Sequence, residues 1–457
     1  MVDSKFKNQQ IFIDRRPIWI LLFERLRRYI ILALFFGIFA LLLTQEGPSN
    51  LSLEGYKALC LFFLCVCLWA TNLIPLSITS LLAIAAVPLL GIMEASQAYS
   101  YFGNKAVFFI LGVFILSASM IACGLSTRIS IWVMDNWSET PGGLVTATYC
   151  FAGISSCFMS EHAVAVILFP IIHEIIQSLN LKRDNSVFAK SMYFAMAWGC
   201  IIGGAMTVLG GGRVPLGVEM LEKATAGQQT LGILKYTQLS FPLVLLLFAG
   251  GWLALKIMFP PVIHDIEPAR KALKQKSLVM GRVTFQEKGI ALVMGATLFC
   301  WFGYGDQLGI ANIAIISIVL LFVLNLITWK MVEAHINWAI VLMYGGAICL
   351  GEVMAALSTL FTTFMSNSAV IAILLPTAIS MGPAYGIDPV VATMTVLLPS
   401  NFAFILPIAT PAAALAYSSR FLTLKDMIWS GIVLSLLGLV CYVLLLLVYW
   451  PLIGFQQ

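Results

Sequence analysis

The seven residues Phe158-Met159-Ser160-Glu161-His162-Ala163-Val164 return 206 residues later as Phe364-Met365-Ser366-Asn367-Ser368-Ala369-Val370, and each copy runs through an apolar segment to a proline, Pro170 or Pro376. An internal duplication of this kind restricts the chain to folds built from two related halves. Each copy sets small polar residues at the start of a hydrophobic helix, where unbonded N–H groups and the positive end of the helix dipole attract an anion. Two such starts in corresponding places of two halves point to a transporter's substrate site near the bilayer midplane. The plain alternative is a pair of polar caps inside a packed bundle, and recurrence at matching places argues against it.

Composition supplies the membrane. With 60% hydrophobic and 10% charged residues and a mean hydropathy of +0.96, the 457-residue chain has too little polar surface for a soluble globule. A span needs ~20 apolar residues, and candidates lie near 30–45, 56–72, 75–92, 104–125, 190–217, 234–258, 286–303, 307–329, 337–353, 388–417 and 427–450. Two further apolar stretches, about 143–180 and 355–381, carry the repeated motif in their middles. They read as re-entrant hairpins with the motifs at their tips, because non-helical backbone at membrane depth is tolerated only where it lines a cavity or is buried. The expected fold is therefore an all-α polytopic membrane protein of about eleven transmembrane helices plus two re-entrant hairpins.

Charge orients it. Residues 1–28 are basic and amphipathic, with Arg15, Arg16, Arg25, Arg27 and Arg28, and show no cleavable signal peptide; they read as a cytosolic or interfacial segment. Basic residues recur at Lys182, Arg183 and Lys190, through Arg270 to Lys288, at Lys330, and at Arg420 and Lys425, whereas loops 46–55, 93–103 and 382–388 have no Lys or Arg. The positive-inside rule then puts the N-terminus in the cytosol of a multi-pass plasma or inner-membrane protein and, with eleven spans, the C-terminus outside. Segment 259–288, starting Phe259-Pro260-Pro261, separates a first half (29–258) from a second half (289–457) as a cytosolic linker. The two hairpins follow spans ending on opposite sides, so the repeat is inverted, as in many alternating-access carriers.

Several functions are disfavoured. The net charge of +5 is accounted for by the cytosolic loops and gives no reason to invoke nucleic acid. The ten cysteines mostly sit in apolar runs and read as small core residues. Of four histidines, His264 and His335 fall in cytosolic loops and His173 on a hairpin arm, and no metalloprotease pair, nucleophile elbow or phosphate loop is present. An enzyme is not expected, nor any cofactor beyond a coupling ion, Na+ or H+.

The stretch Trp69-Ala70-Thr71-Asn72-Leu73-Ile74-Pro75-Leu76-Ser77-Ile78-Thr79, the span from Phe109-Ile110-Leu111-Gly112 to Gly124-Leu125, the run from Trp338 to Gly345-Gly346 and both hairpin motifs together resemble the divalent anion:sodium symporter family of the ion transporter superfamily. That family includes sodium-coupled carriers for dicarboxylates, citrate and sulfate, and related exchangers. The resemblance runs in the same order over nearly the whole chain after residue 30. It implies a homodimeric elevator, in which a transport domain of hairpins and broken helices slides against a dimerising scaffold. Members carry Ser-Asn-Thr at both hairpin tips, with a sodium between each tip and the break of a later helix. Carried over, the second sodium site would use Thr362, the Met365 backbone, Asn367 and the Ala409 backbone, and looks intact. Ser366-Asn367-Ser368 is close to the tip pattern, and Thr410-Pro411 keeps the pair that in the family touches the anion.

The first site departs from the family. Ser156, Ser160 and Gly210 match, but Glu161 stands for Asn, His162 for Thr, and Gly210-Gly211-Gly212-Arg213-Val214 for Gly-Ser-Pro-Pro-Asn. Each charge at the centre of a span costs ~2.5–3.5 kcal/mol on insertion scales, so the added acid and arginine call for a role. Glu161 and Arg213 are expected to pair, or to bracket the first ion site. A guanidinium there could replace a sodium's charge and bind a substrate carboxylate or sulfate, with Ser160, His162 and Gly211 as further candidate ligands. Alternatively Glu161, with His162, carries a proton. A structural salt bridge is the plain reading.

The halves also differ in length. From the glycine pair to the hairpin motif the first half spends 48 residues (Gly112 to Ser160) and the second 20 (Gly346 to Ser366). Residues 127–137 can form an amphipathic linker that has no counterpart in the second half. The expectation is a carrier of small divalent anions, with C4-dicarboxylates ahead of sulfate, working by cation-coupled symport or dicarboxylate exchange. A sulfate symporter, a proton or sodium antiporter, and a membrane protein that binds without transporting remain as alternatives.

Overall fold

The computed structural model describes residues 18–45, 53–181 and 186–336 apart from 72, 262 and 264, and 387–455 apart from 408; from 337 to 386 it describes only 338, 341–342, 371, 375 and 378–379. Every regular element among these residues is helical. The expected second hairpin, 355–381, and the span 337–353 lie almost wholly outside the described residues.

The chain opens with α1 (Ile18–Leu43), which runs through residue 28 without a break. Its 26 residues measure about 39 Å at 1.5 Å per residue, longer than the ~30 Å hydrocarbon core. Helices α2 (Leu53–Thr71), α3 (Leu76–Leu89) and α4 (Ala95–Ser100) follow and share a small core that includes Leu61, Cys65, Ile84, Val87 and Ala98. Asn104 then caps α5 (Lys105–Ala122) by accepting the Ala106 N–H at 2.8 Å. Gly124, at φ +84°, supplies the left-handed residue that turns α5 into α6 (Leu125–Asn136), the amphipathic segment expected at 127–137.

The stretch 143–180, where the first hairpin is expected, holds two helices joined by a short turn, α7 (Pro141–Ser156) and α8 (Glu161–Ser178). Thr140 caps α7, and Pro141 occupies the first position, where a missing N–H costs nothing. The expected span 190–217 is two helices, α9 (Val187–Gly204) and α10 (Arg213–Ala224), with a break at 205–212. Next come α11 (Ile233–Met258), α12 (Glu267–Met280), α13 (Phe285–Leu308), α14 (Ile310–Val323) and α15 (Trp329–Glu333). The expected span 388–417 is likewise split, into α16 (Pro389–Leu397) and α17 (Pro411–Ser418). The last helix, α18 (Leu424–Leu444), continues through a π turn to Leu452. Among the described residues, six helical stretches are long and apolar enough to cross a membrane.

Small residues bring backbones together where no hydrophobic force separates protein from lipid. A Cβ on Gly199 of α9 would lie 2.7 Å from the Tyr149 carbonyl of α7, and one on Gly203 would collide with the Gly153 backbone. Two large cores result. One gathers α5, α10, α13, α14 and α16, with Trp301, Tyr236 and Leu397 fully buried. The other gathers α7, α8, α9, α11 and α17 around Tyr149, Tyr193 and Trp198.

The 259–288 segment is more ordered than a linker requires. It contains α12, which packs against α6 and α8. Lys276 of α12 pairs with Glu174 of α8. Arg128 of α6 reaches over the following turn, donating to Glu287 at 2.9 Å, the Gly281 carbonyl at 2.8 Å and the Met280 carbonyl at 3.0 Å. Glu287, 2% exposed, also closes a capping box with Thr284 at the start of α13.

Candidate functional site

The hairpin tip is the four-residue turn Cys157-Phe158-Met159-Ser160 between α7 and α8. Ser160 is the N-cap of α8, its Oγ accepting the Ala163 N–H at 3.2 Å. The next N–H, that of Glu161, donates to the Gly210 carbonyl at 2.9 Å. From the break, Thr207 Oγ1 donates to the Cys157 carbonyl at 2.5 Å and accepts the Leu209 N–H at 3.1 Å. These hydrogen bonds, with that of Cys157 Sγ to Met206 Sδ at 3.5 Å, join the turn before α8 to the break between α9 and α10. The approach is close enough to require glycine: a Cβ on Gly210 would lie 2.5 Å from Gly204 Cα, the Gly204 carbonyl oxygen and the Ser156 carbonyl oxygen.

Across this junction Arg213 Nη2 donates to Glu161 Oε2 at 2.8 Å. The pair is buried, with Glu161 7% and Arg213 4% exposed. Each is the first residue of its helix. The N-terminal end of a helix dipole favours a carboxylate and opposes a guanidinium, so Glu161 is well placed at the head of α8 and Arg213 badly placed at the head of α10. Glu161 compensates for that placement. The pairing is the first of the two arrangements expected from the sequence. Arg213 Nε is buried with no hydrogen-bond partner among the described residues and lies beside Gly211, whose missing Cβ would be 3.4 Å away. Gly211 and Ser160 in turn border a narrow crevice with Gly212, Pro215 and Phe109.

His162 is not part of this group. It lines a separate cavity of about 370 Å³ with Ile121, Val166, Ala334, His335 and Trp338. Its Nδ1 has no hydrogen-bond partner among the described residues.

In the second half Thr410 is the N-cap of α17, its Oγ1 accepting the Ala413 N–H at 3.2 Å, with Pro411 at the first helical position. Thr410 is buried, and α17 packs against α8 and α9. Ala409 ends the preceding break, its N–H donating to the Leu406 carbonyl at 3.2 Å. Thr362, Met365, Ser366, Asn367 and Ser368 lie outside the described residues.

Two buried polar residues were not singled out from the sequence. Thr207 ties the tip to the break and carries no motif. Asn401, in the turn after α16, donates to the Leu397 carbonyl at 2.7 Å and leaves Oδ1 unpartnered among the described residues. Its signal was available, as an amide inside the apolar stretch 388–417.

A family model described as the sodium:sulfate symporter transmembrane region matches residues 24–359 and 352–455. The two matched pieces meet at 352–359, where the second half is short. The chain is similar to the sodium-dependent dicarboxylate transporter SdcS of Staphylococcus saprophyticus, with 24% identity over 91% of this chain and 90% of that protein. It is 23% identical to the SdcS proteins of Staphylococcus aureus strains bovine RF122 and MSSA476, over the same shares. The chain belongs to the sodium:sulfate symporter family, and it is a transmembrane, sodium-coupled anion transporter by that membership.

Proposed function

We propose that this member of the sodium:sulfate symporter family carries small divalent organic anions, C4-dicarboxylates in preference to sulfate, through an elevator movement of a homodimer. The observation that carries the reading is the junction at which α8 and α10 both begin, with a buried guanidinium between them. Helix N-termini and an arginine together favour an anion. Thr410 and Pro411 open a third helix, α17, that packs on α8. An extended anion with two separated carboxylates can engage both halves, Ser160, Gly211 and Arg213 on one side and Ser366, Asn367, Ser368 and Thr410 on the other. The names of the relatives, sodium-dependent dicarboxylate transporters, favour dicarboxylate over sulfate.

Sodium coupling belongs to the second half in this reading. Thr362, the Met365 backbone, Asn367 and the Ala409 backbone would hold the ion and order the second hairpin tip, completing the anion site. Coupling is then the difference in anion affinity between the ion-bound and ion-free states. The second hydrophobic core, built on α7, α8, α9 and α17, suits a unit that moves as one body. The bonds of Arg128 hold α6 to the turn before α13, which suits a fixed hinge beside it. The orientation follows the basic loops, with the first hairpin entering from the cytosol.

The test is uptake of labelled succinate into proteoliposomes with competing anions outside. Inhibition by C4-dicarboxylates at concentrations tenfold below those needed for sulfate supports the reading. Sulfate competing as well as the dicarboxylates, or labelled sulfate alone being taken up, overturns the preference.

A further inference from the structure

We infer that the first cation site of this chain takes no sodium, because Arg213 is its resident cation. The inference rests on the transport reading above and sharpens it, by assigning ion coupling to one half of an otherwise duplicated machine. In the family resemblance, a sodium sits between the first hairpin tip and the break of the next broken helix, held by carbonyls and small side chains. In this chain that junction comprises Ser156, the turn at 157–160, Glu161 and residues 204–213.

Four observations converge there. The guanidinium donates to the Glu161 carboxylate at 2.8 Å, so the one negative side chain at the junction is already neutralised. Two carbonyls that point into the junction are engaged by donors, that of Gly210 by the Glu161 N–H at 2.9 Å and that of Cys157 by Thr207 Oγ1 at 2.5 Å. Space beside Gly210 is closed as well, since that residue packs against Gly204 and Ser156 with no room for a Cβ. Finally α8 and α10 both present N-terminal ends here. The C-terminal ends of α7, at Ser156, and of α9, at Gly204, meet them, so the four helix dipoles roughly cancel, and the neutral Glu161–Arg213 pair leaves no net negative charge to hold a further cation. The acid is the partner that makes a buried arginine tolerable, and the arginine, with its charge balanced by Glu161, occupies permanently the place that a sodium would fill and leave in each cycle.

A consequence for coupling follows. A permanent cation travels with the carrier in both directions, so it contributes nothing to the driving force. Anion uptake would then be driven by one fewer sodium than in a carrier with both sites.

The experiment counts bound sodium. Radioactive sodium bound at saturation is measured per protomer on the purified full-length protein in detergent, for the parent and for the double variant Glu161→Asn/Arg213→Ser, which removes the carboxylate and the guanidinium together. The expected result is one more sodium per protomer in the double variant than in the parent. An equal count in a monodisperse, helical double variant overturns the inference, as does a lower one. Should the double variant fail to fold, Asn367→Ala in the parent background decides: loss of all bound sodium supports an ion-free first site, and one remaining sodium overturns it. Succinate uptake by the parent is scored separately. A parent that binds sodium but moves no anion defeats the transport reading while the sodium count still stands, and a parent that binds none leaves the first site ion-free and defeats sodium coupling.

Discussion

Neutralising one member of the Glu161–Arg213 pair should be far more damaging than neutralising both. The two side chains are 2.8 Å apart, and the residues are 7% and 4% exposed. Removing one partner from such a pair leaves an uncompensated buried charge, at a cost of ~3–5 kcal/mol. The helix ends make the two single variants unequal. Glu161→Gln strands a guanidinium at the head of α10, where the dipole adds ~0.3–1 kcal/mol against it. Arg213→Met strands a carboxylate at the head of α8, where the dipole works in its favour. Glu161→Gln should therefore be the worse of the two by about 1 kcal/mol. The double variant Glu161→Gln/Arg213→Met buries no charge and should lose roughly 1 kcal/mol or less, since neutral replacements of buried pairs are often tolerated. The assay is thermal inactivation in detergent, scored as the fraction of protein still monodisperse after heating. At roughly 2 °C per kcal/mol for a long chain, the singles should fall by about 5–10 °C and the double by a few degrees. A double variant that falls by the sum of the two singles would refute the pairing, because independent sites add and coupled ones do not.

Three further outcomes are expected. Thr410→Ala removes the cap of α17 and a candidate anion ligand; it should cost about 1 kcal/mol of stability and raise the succinate KM several-fold, while the sodium concentration for half-maximal uptake changes little. Gly210→Ala must displace three backbone atoms that a Cβ would meet at 2.5 Å; with ~1–3 kcal/mol of overpacking, uptake should be lost while circular dichroism stays helical, and normal uptake would contradict the close approach. Arg128→Gln removes donors to Glu287, Gly281 and Met280 and should destabilise by ~1–3 kcal/mol. Arg128→Lys should restore only part of this in the same heating assay, since an ammonium cannot span three acceptors in a fixed fork.

Hydrophobic runs and the repeated motif located most of the helices, and they did so because a membrane span advertises itself by length and composition alone. The helix pair α7–α8 was legible from a polar motif flanked by apolar arms, whereas hydropathy drew one span over 190–217 and only the family resemblance pointed to a break before α10. The helix α12 inside the 259–288 segment was passed over because it is polar, although Glu267-Pro268 is a recognisable helix start. At the site, the pairing of Glu161 with Arg213 was within reach because two charges in an apolar setting have few other partners. The separation of His162 from Ser160 and Arg213 was not, although His162 directly follows Glu161. Adjacent residues at a helix start point in directions about 100° apart, and only the packing of α8 against its neighbours, α5 among them, decides which cavity each one meets. Thr207 was invisible for a related reason: its role depends on where the break folds back, which is set by the contact of Gly210 with Gly204 and Ser156.

Sodium coupling is tested most directly by the initial rate of succinate uptake into proteoliposomes, measured against external sodium with no sodium, proton or dicarboxylate gradient other than the one imposed. Uptake should be driven by an inward sodium gradient and left unchanged by a proton gradient of either direction. Uptake that is indifferent to sodium and requires only dicarboxylate inside would contradict sodium coupling and identify an exchanger.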